Sequence, residues 1–184
     1  MTAPSLRTTL LPLPELASSS RPRQRLCCSS ERLSWRKTSV FGSEYALLSA
    51  GHRVAALSVR GFFHPSASGE AFGRSWEIGP YDREHGCIVV RESESLQEAG
   101  VFEMIAPGSG GVVRTASGRV FIFRSDFWKG VASFLTADGD TTIEFRYRGV
   151  FRPSAEIEIH GRTESPEELG WIILLGWCLI VAYL

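Results

Sequence analysis

Short runs of alternating or β-branched apolar residues, separated by turn residues, fill the chain from Leu33 to His160. A period of two is that of a strand with one buried face, and turns such as Asp138-Gly139 are typical of β-hairpins. The pattern predicts these strands: Leu33–Val40, Tyr45–Ser49, Arg53–Val59, Arg74–Ile78, Cys87–Val90, Val101–Ile105, Val112–Thr115, Arg119–Phe123, Ala132–Leu135, Thr141–Tyr147 and Ala155–His160. Such regular spacing indicates an antiparallel sandwich or barrel.

The segment from Ser39 to Phe63 resembles the segment from Ser125 to Phe151. Both contain a turn, a strand, a tight turn with glycine and a second strand, and both then read Arg-Gly-apolar-Phe. Two similar half-sheets would close into one barrel, which removes exposed strand edges. Strand–turn–strand units also resemble one another by chance, so that interpretation stays open.

The last twenty residues read as a helix with a well-defined start. Ser165 is a suitable N-cap, Pro166 suits the first helical position, and Glu168 completes a capping box. From Leu169 onward every residue is apolar or aromatic apart from two glycines. A helix that is apolar on all sides must be enclosed by lipid or by protein.

Length and flanking charge favour enclosure by protein. The sixteen residues of Leu169–Leu184 span about 24 Å as a helix. A bilayer core is about 30 Å thick and the flank before the helix is acidic, so a tail anchor, the alternative, requires a thinned bilayer. We therefore predict a helix through the centre of a barrel, with these core residues: Leu169, Trp171, Ile172, Leu174, Leu175, Trp177, Leu179 and Ile180.

Composition adds limits on partners and location. The chain has 184 residues, and its 20 basic and 20 acidic residues cancel, so no nucleic-acid partner is expected. Residues 1–31 are rich in Ser, Pro and Arg, which predicts a disordered tail before a domain over 32–184 with its core helix at 166–184. An organelle transit peptide and an upstream extension of the reading frame are the alternatives. The four cysteines match no zinc spacing or disulfide framework, which favours a reducing, cytoplasmic location.

Candidate catalytic chemistry is sparse. His85, in the polar run from Asp82 to Cys87, is a candidate base, or with Cys87 a metal ligand, but a metal needs three or four converging ligands. The run is more simply a solvated hairpin tip. The Gly108–Gly111 run precedes a strand rather than the helix that a phosphate-binding loop requires. We therefore expect no enzyme activity, no metal and no cofactor.

Basic residues recur near aromatic residues in the last third of the chain. Trp128, Lys129, Arg146 and Arg148 are candidate contacts for the headgroup of an anionic lipid. In an alternating strand, however, Arg146 and Arg148 also share the exposed face simply because the aromatic residues beside them point inward.

Certain motifs resemble those of a known family: the strand beginnings Trp35-Arg36-Lys37 and Phe127-Trp128-Lys129, the Pro166–Leu169 helix start and the Ile172–Trp177 helix core. From Leu33 to Leu184 the chain resembles the tubby C-terminal-like superfamily, which includes tubby domains, phospholipid scramblases and LURP-one-related proteins. It is most similar to the small bacterial members. The resemblance implies a closed antiparallel barrel of approximately twelve strands around a hydrophobic C-terminal helix.

The family's motifs for lipid function are not matched. The sequence shows neither a tubby phosphoinositide motif nor the proline-rich or calcium-binding segments of scramblases. The prediction is therefore a mainly β, non-enzymatic barrel module that binds a lipid or protein partner. The alternatives are a tail-anchored membrane protein with a cytosolic β domain, and an enzyme with a site around His85.

Overall fold

The computed structural model describes residues 32–39, 42–61, 66–82, 87–106, 110–149, 152–160 and 165–183. The elements are β1 (Leu33–Lys37), β2 (Glu44–Ser49), β3 (His52–Arg60), β4 (Ser66–Ala71), β5 (Arg74–Asp82), β6 (Cys87–Glu92), β7 (Glu98–Ala106), β8 (Gly110–Thr115), β9 (Val120–Asp126), β10 (Val131–Thr136), β11 (Thr141–Arg148), β12 (Ser154–Ile159) and α1 (Pro166–Tyr183). Each strand pairs with its sequence neighbours, and β1 pairs with β12 to close the barrel. The predicted mainly β barrel with one C-terminal helix is confirmed; the predicted tail over 1–31 lies outside the described residues.

The helix α1 fills the inside of the barrel. Trp177 stacks on Trp35 of β1, with ring centroids 5.7 Å apart, and meets the ring of Tyr45 of β2 edge-on at 5.5 Å. On another side, Gly176 faces the rings of Phe134 and Phe145, on β10 and β11. Because one helix turn touches both parts of the barrel wall, the helix lies within it.

The eight helix residues predicted as core are all at most 5 % exposed. Their burial explains why one helix carries apolar residues on every face, because every face meets a strand. No helix in the part of the chain that the structure describes has both the length and the apolar character that a bilayer crossing requires.

The start of α1 is attached to one end of the barrel by polar contacts. The backbone N–H of Glu168 donates to Ser165 Oγ at 3.4 Å, as a capping residue requires. Glu167 lies 2.7 Å from Arg74 at the start of β5, and Glu168 lies 3.4 Å from Arg119 before β9. The pair of Arg74 and Glu167 is exposed and contributes little free energy, so burial of the apolar faces holds the helix in the barrel.

One strand, β4, was missed by the sequence pattern. Its inward positions are Ala67, Gly69 and Ala71, which are too small to give the alternation that predicts a strand. A Cβ at Gly69 would lie 3.1 Å from Leu174 Cδ2 on the helix and 2.8 Å from the carbonyl oxygen of Ala56. The strand is therefore made of small residues because the helix packs closest to the wall here.

The similar segments do not form two half-barrels, so that prediction is wrong. Copies in two halves of twelve strands would be six strands apart, whereas the matching strands β2 and β10 are eight apart. The local similarity is nevertheless real. Gly51 and Gly139 follow the first strand of each copy at φ 84° and 93°, and Gly61 and Gly149 follow the second at φ 79° in both. Glycines of similar conformation after corresponding strands explain the likeness without a repeated half-sheet.

The buried thiol of Cys178 gives the fold an expected sensitivity to alkali. Burial raises the pKa of this thiol from its ordinary 9.0 to about 12, and burial also raises the pKa of Tyr45. A group whose pKa is higher in the folded state contributes stability that is fully present below the unfolded pKa. That stability is lost as the pH rises from about 9 towards 12.

We expect the free energy of unfolding, measured with urea at a series of alkaline pH values, to fall more gently in Cys178→Ala than in the wild type. The slope is compared rather than the absolute stability, because the alanine also leaves a small cavity. Tyr45 retains its share of the slope in both proteins. Identical slopes above pH 9 would contradict the assignment to Cys178.

Candidate functional site

A groove of about 470 Å³ lies on the outer surface where β11, β12 and β1 run side by side. Its lining comprises Ser34, Trp35, Arg36, Lys37, Arg146, Arg148, Arg152, Pro153, Ser154, Ala155 and Glu156. Five of these residues are cationic and one is acidic. We call it the basic groove.

Strand alternation turns Arg36, Arg146 and Arg148 outward. Phe145 and Tyr147 are buried, so Arg146 and Arg148 between and after them face solvent. On β1, the same alternation turns Arg36 outward, because the preceding residue Trp35 is buried. Barrel closure then brings the first strand of the chain next to the last, so that β12 lies between β11 and β1.

The cations of the groove differ in their pairing. Arg146 is paired: its Nε is 2.7 Å from Glu144 Oε1 and one Nη is 3.2 Å from Glu158 Oε2. Among the described residues, no carboxylate lies within ion-pair distance of Arg36, Lys37, Arg148 or Arg152. Four uncompensated positive charges therefore surround one groove, and their mutual repulsion favours an anion inside it.

Of the four predicted contact residues, the structure brings Arg146 and Arg148 together in the basic groove. Trp128 and Lys129 lie beside it, in the turn that joins β9 to β10. The backbone N–H of Tyr147 donates to the carbonyl oxygen of Gly130 at 2.8 Å, so this turn adjoins the strand that carries both arginines.

Sequence reasoning missed two members of the groove, Arg36 and Lys37. Alternation around Trp35 was sufficient to show that Arg36 faces outward. Its proximity to β11 depends on the pairing of β1 with β12, in which Trp35 lies opposite Ala155. That long-range pairing leaves no local signal in the sequence.

The other sequence candidates form no site within the part of the chain that the structure describes. His85 and Gly108 lie outside the described residues, and Gly110 and Gly111 begin β8 rather than a phosphate-binding loop. Among the described residues, no three His, Cys, Asp or Glu side chains are close enough to hold a metal ion.

A second groove, of about 460 Å³, crosses the outer faces of β2 to β5. It is lined mainly by small and hydroxyl side chains, and its charged residues are Glu44, Glu70 and Arg53. Because its charges are of mixed sign, it offers no comparable attraction for one class of ion.

Comparison of the chain with known protein families, with curated proteins and with solved structures finds no match. Membership of the tubby C-terminal-like superfamily therefore stays a prediction from the motifs.

Proposed function

We propose that the protein is a non-enzymatic binding module whose ligand is a phosphate-bearing anion held in the basic groove. The observation that carries this proposal is the ratio of five cationic residues to one carboxylate around a single groove of about 470 Å³. Guanidinium groups bind phosphate through paired, charge-assisted hydrogen bonds, and lysine adds a compact positive charge.

The free cations give the binding a physical basis. Repulsion acts among Arg36, Lys37, Arg148 and Arg152, and a bound phosphate offsets it by attraction to all four. Arg146 is tied to two carboxylates, so we expect it to contribute less. Such a site depends on ionic strength, because exposed charges are screened by salt. A lipid headgroup and a soluble phosphate ester offer the groove the same chemistry.

The fold supports a wider proposal about family, and the cysteine pattern supports one about location. A twelve-stranded barrel around a C-terminal helix is the architecture that the tubby-like resemblance implies, and it favours a distant relationship to that superfamily. We propose a cytoplasmic module, in line with the absence of a disulfide pattern in the sequence.

Calorimetric titration with inositol trisphosphate tests the anion site. We expect saturable binding to the full chain, and a loss of about tenfold or more in affinity for the double variant Arg36→Glu and Arg148→Glu. A hydrogen bond to a charged group contributes roughly 1.5–3 kcal/mol, and tenfold corresponds to about 1.4 kcal/mol.

The matched control is the double variant Arg53→Glu and Arg91→Glu, which changes two exposed strand arginines outside the basic groove by the same charge. We expect it to retain most of the affinity. An equal loss of affinity in both double variants would show that the effect depends only on net charge, against a site in the basic groove. No binding by the wild type at millimolar ligand would refute the proposal.

A further inference from the structure

Most of the exposed large apolar side chains lie at one end of the barrel. Among the described residues, four large apolar side chains are exposed: Ile105 at 72 %, Phe127 at 47 %, Trp128 at 93 % and Leu96 at 66 %. The first three belong to the end where β7 and β9 terminate, whereas Leu96 lies in the β6–β7 connection at the opposite end. Because β8 pairs with both β7 and β9, the three are on neighbouring hairpins. Ordinary protein surfaces carry single, scattered apolar residues. Several exposed apolar residues at one end therefore indicate an interaction surface.

The turn that carries the two aromatic residues is held in one shape. The backbone N–H of Lys129 donates to Asp126 Oδ1 at 3.2 Å, and Lys129 Nζ lies 2.9 Å from Asp126 Oδ2. Gly130 closes the turn at φ 64°, its N–H donating to the carbonyl oxygen of Phe127 at 3.2 Å. The rings of Phe127 and Trp128 meet edge-on at 5.8 Å. Folding has therefore already ordered the aromatic pair, which lowers the entropy cost of using it for binding.

The surroundings of the turn select the kind of partner. The turn adjoins β11, whose Arg148 lines the basic groove, and Lys129 adds a further positive charge. Tryptophan favours the interface between lipid headgroups and acyl chains, and basic residues beside it are attracted to anionic lipids. An outward indole beside a basic groove matches an anionic bilayer. The bilayer presents an interfacial region for the indole and lipid phosphates for the groove.

We infer that the turn Phe127–Gly130 inserts its aromatic rings into the headgroup region of an anionic membrane while the basic groove binds a lipid phosphate. The inference rests on the proposed function and adds the source of the anion: the surface of a lipid bilayer. The barrel then faces the membrane with the end at which β9 joins β10, and α1 stays inside the barrel.

Fluorescence and sedimentation with lipid vesicles test this inference on the full chain. The vesicles contain phosphatidylcholine alone or with phosphatidylserine, and in one series the phosphatidylcholine carries bromine on its acyl chains. The other four tryptophans are buried, so bromine quenching reports on Trp128. We expect quenching with the anionic vesicles, its loss in Trp128→Phe, and a fall in vesicle partition on the order of tenfold in Trp128→Ala.

Leu96→Ala is the matched control, because it truncates another exposed apolar side chain at the opposite end of the barrel. We expect its vesicle partition to equal that of the wild type. Wild-type vesicle binding without quenching, or equal partition for Trp128→Ala and the wild type, would overturn the inference. A wild type that sediments with no vesicle would overturn it too and would leave a protein partner for this surface.

The two proposals fail separately. If inositol trisphosphate binds but brominated vesicles do not quench, the anion site stands and the membrane insertion is wrong. If quenching occurs and the soluble anion does not bind, the turn is an interfacial anchor and the proposed function of the groove is wrong.

Discussion

Leu174→Lys is expected to abolish the folded barrel. Leu174 is fully buried, and its Cδ2 lies so close to β4 that a single methyl at Gly69 would approach it to 3.1 Å. A protonated lysine there buries a charge without a partner. A deprotonated lysine buries a polar amine without a hydrogen bond, and either state costs several kcal/mol. Domains of this kind have only about 5–15 kcal/mol of stability in total.

Circular dichroism and thermal melting measure the effect. Leu174→Met is the matched control, because it conserves volume and apolarity and is expected to cost less than about 1.5 kcal/mol. A lysine variant that melts cooperatively near the wild-type temperature would contradict the packing of α1 inside the barrel. Deletion of residues 169–184 extends the test: the barrel predicts loss of the fold, and the tail-anchor alternative predicts a soluble, folded β domain.

Trp177→Ala is expected to lower the free energy of unfolding by about 3–5 kcal/mol. Trp177 is fully buried between the helix and the wall, stacked on Trp35 and in edge contact with Tyr45. Alanine removes the ring that joins both residues to the helix and leaves a cavity in the core. Urea unfolding gives the change in midpoint and therefore the loss in free energy.

Two companion variants give this measurement its controls. Trp128→Ala removes the same side chain from a position that is 93 % exposed, so we expect almost no change in stability. Trp177→Phe is expected to cost clearly less than Trp177→Ala, because it keeps a ring in the core. It also removes an indole N–H that has no hydrogen-bond partner among the described residues. Equal losses for phenylalanine and alanine would show that ring packing does not hold α1 in place.

Local patterns predicted most of the fold. Alternation identified β11 because large residues such as Phe145 face inward and charged ones face outward. The capping residues located the start of α1 at Ser165, and its length indicated a core helix. Alternation failed at β4, where Gly69 and its small neighbours face the helix. A strand that packs against a helix backbone loses the contrast of side-chain size on which such a prediction depends.

The sequence pattern could predict only part of the candidate site. Arg146 and Arg148 are two residues apart on one strand, so alternation alone puts them on a common face. Arg36 joins them through the pairing of the first strand with the last, and a single sequence carries no signal for a contact over that distance. The concentration of positive charge was therefore visible only after the barrel had closed.

The position of α1 after all the strands also orders events during synthesis. Every strand leaves the ribosome before the segment that fills the interior, so the strands of an incomplete chain have no helix against which to pack their inward faces. The pairing of β1 with β12 and the packing of α1 both join distant parts of the chain, which slows folding. Until α1 emerges, the nascent strands expose apolar faces and unpaired edges that invite aggregation or chaperone binding. A premature stop before residue 169 thus removes the core of the whole domain, although every strand has been made.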